Sequence, residues 1–259
     1  MNQDERREYL IHYLLNEQKR LPRQNIPSSK TEQEHLLRAL MNTRLPYPIS
    51  DEFLKIQDDY LKERNKERGI TDLDDLKPVN SHPELYIWQG DITTLKCDAI
   101  VNACNSQMLG CFTPLHGCID NFIHTYAGIE LRLEMNDIMT RQGHNEPTGQ
   151  AKITSGYNLP TKYILHTVGP IINFEVTQEK KDLLASCYKE CLKLASSKGV
   201  ESIAFCCLST GVYRFPQQLA AQIAIETVTE YLKHDSTIKK IIFNVFKDED
   251  LRIYQHLLS

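Results

Sequence analysis

Apolar side chains recur at helical spacing three times in the first third of the chain, over residues 9–14, 36–40 and 53–61. Within each segment they fall largely three or four positions apart, which places them on one face of a helix. Ser29, with Glu32 three residues later, fits an N-cap with a capping box before the second segment. The pattern predicts three helices, and we find no catalytic constellation among them.

Short apolar runs alternate with amphipathic segments from residue 83 onward. The runs predicted to be strands lie at residues 85–88, 99–101, 151–155, 163–168, 203–208 and 240–246. Residues 183–195 and 219–231 carry apolar or small side chains every four positions and are predicted helices, and Gly199 is a stop signal for the first. This alternation predicts an α/β sheet with helices on both faces, and such folds bind ligands at the carboxyl ends of their strands.

The composition changes at the same place. The first 82 residues hold 14 basic and 15 acidic residues, one glycine and no cysteine, whereas the remaining 177 hold 16 basic and 19 acidic residues, ten glycines and all eight cysteines. The sequence therefore predicts a helical extension over residues 1–82 and an α/β domain over residues 83–259.

The overall charge limits the classes of partner. Lys and Arg total 30 against 34 Asp and Glu, a formal charge of −4, which argues against a general nucleic-acid binder because such proteins cluster basic residues on phosphates. No run approaches the ~18 apolar residues of a membrane span, so no membrane partner is expected. The start of the chain has no apolar secretory core, so a cytoplasmic location is expected, with cysteines present as thiols or metal ligands.

Polar residues occupy three loops that follow predicted strands. Asp91, after Gly90, fits a tight turn when it is considered alone. Asn102 and Asn105 fit either loop caps or hydrogen bonds to a polyhydroxylated ligand. Residues 209–216 precede an amphipathic helix and fit an anion site at a helix N-terminus. The sequence contains neither a G-x-x-x-x-G-K-[ST] run, which excludes a P-loop, nor a G-x-G-x-x-G run, which argues against a dinucleotide oxidoreductase.

Taken together and in this order, these loops resemble those of macrodomains, the ADP-ribose-binding fold. The resemblance covers residues 83–259, about two-thirds of the chain, and implies a three-layer α/β/α sandwich around a mixed sheet. The matching motifs are G-D-I-T at residues 90–93, V-N-A-C-N at 101–105, P-T-G-Q-A at 147–151, Y-I-L-H-T-V-G-P at 163–170 and S-T-G-V-Y-R-F-P at 209–216.

The resemblance also implies where ADP-ribose binds. Asp91 would hold the adenine with Ile92 beside it, Phe246 would lie near the same ring, and Asn105 would face the distal ribose. Asp120 takes the position of the family's catalytic Asp, so Asn105 and Asp120 are the expected catalytic residues. The other residues expected in the ADP-ribose site are Cys118 and Ile119, together with Ser209, Thr210, Gly211 and Val212, which would wrap the diphosphate, and Tyr213.

The chain departs from hydrolytic macrodomains in residues 110–124. Those proteins have a run of glycines after the Asn pair, whereas this chain has Cys111, His116 and Cys118. Two thiols and an imidazole suit zinc, and three protein ligands leave a fourth position open, as in catalytic sites. From the spacing alone, the alternative to a zinc site is that the two cysteines are buried thiols and the histidine lies at the surface. The chain resembles the zinc-containing macrodomains of bacteria and fungi, which carry this Cys-His-Cys set and an N-terminal helical extension, and the resemblance implies one zinc ion per chain.

Such a protein is expected to be a zinc-dependent protein-ADP-ribose hydrolase that removes mono-ADP-ribose from acidic side chains. Genes of this family often lie beside those for a sirtuin-like ADP-ribosyltransferase and a lipoyl-carrier protein, which implies the carrier as the modified partner. Three alternatives remain open: a non-catalytic ADP-ribose reader, a deacetylase of O-acetyl-ADP-ribose, and a scaffold that docks a carrier protein and holds a structural zinc.

The other thiols and one histidine are predicted to be structural. Cys187 and Cys191 fall on the core face of a predicted helix, and Cys206 and Cys207 end a buried strand, so all four are expected to be inert. His166 lies within a predicted strand and is expected to be a core histidine with satisfied ring nitrogens.

Overall fold

The computed structural model describes residues 1–18 and 26–259, and in this part of the chain it contains eight α-helices and eight strands. The helices are α1 (Gln3–Glu17), α2 (Lys30–Thr43), α3 (Asp51–Glu67), α4 (Ile119–Ala127), α5 (Ile129–Gln142), α6 (Gln178–Ser197), α7 (Gln217–Leu232) and α8 (Asp248–Leu257). The strands are β1 (Thr71–Asp72), β2 (Pro78–Val79), β3 (His82–Gln89), β4 (Leu95–Ala103), β5 (Ala151–Ser155), β6 (Thr161–Thr167), β7 (Ser202–Phe205) and β8 (Lys240–Val245).

The strands form one mixed sheet in the order β2-β3-β8-β7-β4-β6-β5, with β1 paired to the start of β4. The five strands from β3 to β6 in this order run parallel, and β2 and β5 pair antiparallel at the two edges. Because the inner strands run parallel, their carboxyl ends meet along one edge of the sheet. This arrangement brings the loops singled out in the sequence to the same side of the molecule.

The predicted α/β architecture is confirmed. Helices α6, α7 and α8 pack in one layer, and α4 and α5 contact each other together with β4 and β5 in another. All four residues of β7 are buried, and β4 is buried at Ile100 and Val101, as expected for inner strands covered on both faces. Gly199, with φ 67°, follows α6 at the predicted stop.

Two details of the predicted strands are wrong. The run at 203–208 leaves the sheet after Phe205, because the chain turns there toward Ser209, whose φ is 64°. Strands β1 and β2 were not predicted, because each has two residues and neither shows an alternating pattern. Both lie before residue 83, so the sheet includes residues from the segment that the sequence predicts as helical.

The three N-terminal helices are present and have a hydrophobic cluster of their own. Leu10, Leu37, Phe53 and Leu61 are buried together, and Ile129 of α5 joins this cluster to the rest of the protein. Its other buried members are Ile11, Leu14, Leu40, Met41 and Tyr60. The helices are therefore held to the α/β region by apolar packing as well as by polar contacts.

The N-cap of α2 lies where the sequence predicts it, but one hydrogen bond of the predicted capping box differs. Ser29 is the N-cap of α2, as predicted, and its hydroxyl accepts from the Glu32 N–H at 3.3 Å. The Glu32 carboxylate accepts from that hydroxyl at 2.6 Å, whereas a full capping box has it accept from the backbone N–H of the cap. A complete capping box forms at Asn2 and Glu5. Across the described ranges, no helix is both long and apolar enough to cross a membrane.

Candidate active site

The carboxyl ends of β3, β4, β6, β7 and β8 open onto one cleft with a volume of about 670 Å³. Every site residue predicted from the sequence lines this cleft. These residues are Asp91, Ile92, Asn105, Cys111, His116, Cys118, Ile119, Asp120, Ser209, Thr210, Gly211, Val212, Tyr213 and Phe246. The sheet topology therefore brings together side chains that lie up to 155 positions apart in the sequence.

Asp91 stands at one end of the cleft, at the start of a 3-10 turn over Ile92–Thr94. One carboxylate oxygen accepts from the Thr93 N–H at 2.9 Å and the Thr93 hydroxyl at 2.6 Å. The other oxygen pairs with the guanidinium of Arg68, the C-cap residue of α3. That guanidinium also lies over the ring of Tyr126, 3.4 Å from its centroid. Arg68 belongs to the helical extension, and the sequence offered no signal that it would reach this site.

Ile92 and Phe246 give the same end of the cleft an apolar surface. Ile92 is buried, whereas Phe246 is 76% exposed directly after β8. The amide of Asn244 donates to the Gly90 carbonyl at 2.9 Å and so joins the ends of β8 and β3. An exposed aromatic ring beside a fixed carboxylate can accommodate a planar base that carries hydrogen-bond donors.

The loop of residues 207–213 crosses the middle of the cleft. The backbone N–H groups of Gly211, Val212 and Tyr213 have no acceptor within the described residues, so they are free to bind an anion. A Cβ on Gly211 would meet nothing within 4 Å, so open space lies beside this residue.

Ser209 bends this loop. Its φ is 64°, and its buried hydroxyl has no hydrogen-bond partner among the described residues. A Cβ on Gly169, after β6, would fall 2.0 Å from that hydroxyl, so a side chain at this position would require the Ser209 hydroxyl to move. The G-P pair at residues 169–170 was part of the resemblance, but its steric reason is visible only in the fold.

Asp120 lies near the start of α4 and is held by a buried polar network. Asn102 donates to its carboxylate at 2.8 Å and contacts Nδ1 of His166 at 3.2 Å. Nε2 of His166 lies 2.9 Å from the Thr154 hydroxyl, so both ring nitrogens have partners, as predicted. The sequence predicts Asn102 only as a cap or a ligand contact and gives no sign of its hydrogen bond to Asp120.

Burial changes the charge states near Asp120. Burial raises the pKa of Asp120 to about 6, against the opposing effects of the Asn102 hydrogen bond and the Arg132 charge. The pKa of His124 is lowered well below its usual value, chiefly by burial and also by Arg132. His124 Nε2 lies 3.6 Å from an Asp120 oxygen. The raised pKa makes the Asp120 carboxylate more basic than that of an exposed aspartate, which suits a group that accepts a proton.

The side chain of Asn105 makes hydrogen bonds within its own loop. Its side-chain oxygen accepts from the Gln107 N–H at 3.0 Å, and its amide donates to the Gly110 carbonyl at 3.4 Å. These bonds hold Asn105 at the wall of the cleft, which corresponds to the capping alternative from the sequence. Cys104 next to it is buried, and its thiol points to the Thr167 carbonyl at 3.3 Å.

Cys111, His116 and Cys118 converge at the Asp120 end of the cleft. Their ligand atoms lie within 4.8 Å of one another, and the Cys111 sulfur lies 3.6 Å from Nδ1 of His116. The donor set of two sulfurs and one imidazole fits zinc. The pKa of the Cys118 thiol is raised to about 12, first by burial and also by Cys111, and a divalent cation would favour the thiolate instead. Within the described residues no fourth Cys, His or carboxylate joins the group, so the fit is to an open site.

The remaining thiols do not belong to the candidate ligand group. Cys187 and Cys191 are buried on the inner side of α6, as predicted. Cys206 and Cys207 follow β7 and line the cleft, so they do not end a strand as predicted. All eight cysteines lie in the described part of the chain and are free thiols.

Comparison with known proteins points to one group. The sequence model of the Macro domain matches residues 101–224. A protein-ADP-ribose hydrolase from Treponema medium is 54% identical over 261 residues, with 100% of each chain covered. A protein-ADP-ribose hydrolase from Staphylococcus aureus (strain MRSA252) is 51% identical over 254 residues, covering 96% of this chain and 95% of the relative.

A solved structure extends the likeness to the fold. The macrodomain of Trypanosoma brucei, crystallised in complex with ADP-ribose, superposes with a TM-score of 0.67 at 29% identity. The match covers 90% of this chain and 97% of that one. It therefore includes much more than the 124 residues matched by the sequence model.

Proposed function

Because the chain belongs to the macrodomain family, we propose that it is a zinc-dependent hydrolase that removes mono-ADP-ribose from acidic side chains of a modified protein. The observation that carries the proposal is that Asp120 and the group of Cys111, His116 and Cys118 line the same cleft, which also carries Asp91. The relatives above are named protein-ADP-ribose hydrolase, which supports the same reaction class.

The order of the strands whose loops line the cleft supports a dinucleotide-like ligand in one orientation. Asp91, Ile92 and Phe246 would hold the adenine, and the free N–H groups of Gly211 and Val212 would bind the diphosphate. The distal ribose would then lie beside Asn105 and Asp120, as the resemblance implies.

Asp120 is the proposed general base. A water molecule would attack the anomeric carbon of the distal ribose, and Asp120 would accept its proton as the new C–O bond forms. The bond from that carbon to the acceptor carboxylate breaks, and its electron pair leaves with the carboxylate. The hydrogen bond from Asn102 aims the Asp120 side chain, and a positioned base contributes about 10²–10⁴-fold to rate.

Cys111, His116 and Cys118 are the proposed zinc ligands. Zinc bound there would supply a Lewis acid with an open coordination position. The absence of a fourth protein ligand in the described chain supports a catalytic role over a structural one. A lipoyl-carrier protein as the acceptor and a cytoplasmic location remain expectations that rest on the sequence and its resemblance.

Turnover on a modified protein tests the proposal. The substrate is a protein that carries mono-ADP-ribose on Glu or Asp. This chain is added at one hundredth of the substrate's concentration, and free ADP-ribose is measured over time. We expect many turnovers per chain. Tight binding without release would indicate a reader, and turnover only with O-acetyl-ADP-ribose would indicate a deacetylase.

A further inference from the structure

The loop that carries the three candidate zinc ligands has little structure of its own. Residues 104–118 join β4 to α4 without forming a helix or a strand. Near the ligands, the loop contains a bond from the His116 N–H to the Thr113 carbonyl at 3.3 Å. Leu115, directly before His116, has φ 57°, a left-handed backbone conformation that is unfavourable for a residue with a side chain. Other parts of the protein must therefore hold this loop.

Arg38 of α2 reaches the loop from the helical extension. Its Nη2 donates to the His116 carbonyl at 2.8 Å and to the Asn121 side-chain oxygen at 2.7 Å. The guanidinium also lies over the ring of Phe122, 4.3 Å from its centroid. Two acceptors and an aromatic face together fix a planar guanidinium in one orientation.

Asn121 extends this contact to the backbone of Cys111 and Thr113. The side chain of Asn121 is fully buried at the start of α4. Its amide donates to the Thr113 carbonyl at 2.9 Å and to the Cys111 carbonyl at 3.4 Å. Arg38 therefore contacts the backbone of one candidate ligand directly and that of another through Asn121.

Asn42, one turn further along α2, holds the residue with the unusual backbone. Its side-chain oxygen accepts from the Leu115 N–H at 3.1 Å, and its amide donates to the Thr125 hydroxyl at 3.0 Å. The residue is 1% exposed, so loss of either bond would leave a buried polar group without a partner. The bond to Leu115 opposes the cost of its backbone conformation.

We propose that Arg38 and Asn42 are positioning residues that hold the backbone around His116, so that Cys111, His116 and Cys118 are preorganised for a metal ion. The N-terminal helices are then part of the metal site, although they supply no ligand. This inference rests on the proposed function. Ligands held in place before binding lose less conformational freedom when the metal arrives, which raises affinity.

Metal affinity with matched variants tests the inference. Arg38→Met keeps the apolar stem and removes the guanidinium, and Asn42→Leu keeps a similar volume and removes both hydrogen bonds. Gln57→Leu is the control, because Gln57 joins α3 to the start of α5 and contacts no residue of the loop. The probes are Zn²⁺, in competition with a chromophoric chelator, and Co²⁺, whose visible absorption reports thiolate coordination.

We expect Arg38→Met and Asn42→Leu each to weaken Zn²⁺ binding roughly 10- to 100-fold, the usual cost of losing a group that orients a ligand. The tetrahedral Co²⁺ spectrum should lose intensity in both. Gln57→Leu should bind Zn²⁺ as the unmodified chain does, even though its melting temperature falls. If Arg38→Met does not fold, Arg38→Lys replaces it, since it keeps a donor for His116 and should lose less affinity than Asn42→Leu.

The outcomes separate this inference from the proposed function. Unchanged Zn²⁺ affinity in folded Arg38 and Asn42 variants would overturn the inference and leave the zinc hydrolase intact. An equal loss in Gln57→Leu would also overturn it, since general docking of the helices would then explain the effect. An unmodified chain that binds neither metal would overturn the zinc proposal and this inference together.

Discussion

The two ends of the cleft are built in different ways. At the Asp91 end and in the loop of residues 207–213, the proposed diphosphate loop, the candidate binding groups sit just after parallel strands, and the sheet places their backbone. At the metal end, the ligands sit on a loop without regular structure, and side chains of α2 contact its backbone. The difference teaches that the sheet places the backbone of the proposed adenine and diphosphate groups, and the helical extension adds the guanidinium of Arg68 beside Asp91. The backbone around the candidate metal ligands, in contrast, is held by side chains of α2.

Mutations at the two ends should also have different effects. In the proposed function, the first end binds ADP-ribose and the second end carries out the chemistry. A change at the first end should therefore affect affinity, and a change at the second should affect rate. Mutations at each end test whether affinity and rate separate in this way.

The largest effect is expected at the metal end, from Cys118→Ala. We expect zinc to be lost and ADP-ribose release to fall to the level of a sample without the protein, while the melting temperature stays within several degrees. The fold should survive because the hydrophobic core around the sheet does not include Cys118. Elemental analysis, the release assay and thermal melting measure the three quantities.

Cys104→Ala is the matched control for that change. Cys104 lies in the same loop but its thiol points to Thr167, away from the ligand group. It should keep zinc and turnover. A Cys118→Ala protein that hydrolyses normally would refute the catalytic metal, and one that cannot fold would indicate a structural metal.

Asp120→Ala should have the next largest effect, on rate alone. We expect turnover to fall by about 10²-fold or more, the usual contribution of a positioned base. Zinc content and ADP-ribose affinity should stay near those of the unmodified chain, because Asp120 is not part of the ligand group. Single-turnover kinetics measure the rate, and an unchanged rate would exclude Asp120 as the base.

Asp91→Ala should affect binding at the other end. We expect the free energy of ADP-ribose binding to weaken by roughly 1.5–3 kcal/mol, the cost of a hydrogen bond to a charged group. The rate at saturating substrate should change little. Isothermal calorimetry measures the affinity, and Arg68→Met, which leaves Asp91 in place without its guanidinium partner, should lose less. An ADP-ribose affinity equal to that of the unmodified chain in a folded Asp91→Ala protein would mean that Asp91 only stabilises the turn.

The smallest effect is expected where the helical extension meets the α/β region. Burial, with Asp58 nearby, raises the pKa of Glu130 from an ordinary 4.5 to about 7, although the hydrogen bond from Gln57 opposes the shift. The folded state then takes up a proton between pH 7 and pH 4.5 that the unfolded state does not, so this carboxylate destabilises the fold most above pH 7.

Glu130→Gln should therefore raise the melting temperature at pH 8, and the gain should shrink by pH 5. Glu63→Gln, at an exposed carboxylate of α3, is the control and should show no such change with pH. A gain for Glu130→Gln that is the same at both pH values would contradict the pKa shift.

The same contrast explains how much could be predicted from the sequence. Asp91, Asn105 and the residues of the diphosphate loop stand in short motifs next to strands, so strand patterns and motif order were enough to bring them to one cleft. The Cys-His-Cys set was visible because its three ligands lie within eight positions. These are local signals.

The missed residues depend on contacts between distant segments. Arg38 and Asn42 meet the metal loop across 78 and 73 positions. A charged or amide residue on an amphipathic helix usually faces water, and nothing in its spacing distinguishes one that packs against another domain. Asn102 was ambiguous for a similar reason, because its partner Asp120 approaches only after α4 packs on the sheet.

Metal removal tests most directly the claim that binding and chemistry occupy opposite ends of one cleft. Zinc is removed with a chelator, and ADP-ribose affinity and release of mono-ADP-ribose from a modified protein are measured before and after one equivalent of zinc is restored. We predict that affinity changes only a few-fold while release is lost and then recovers. Full release by protein shown to be free of metal would contradict the claim.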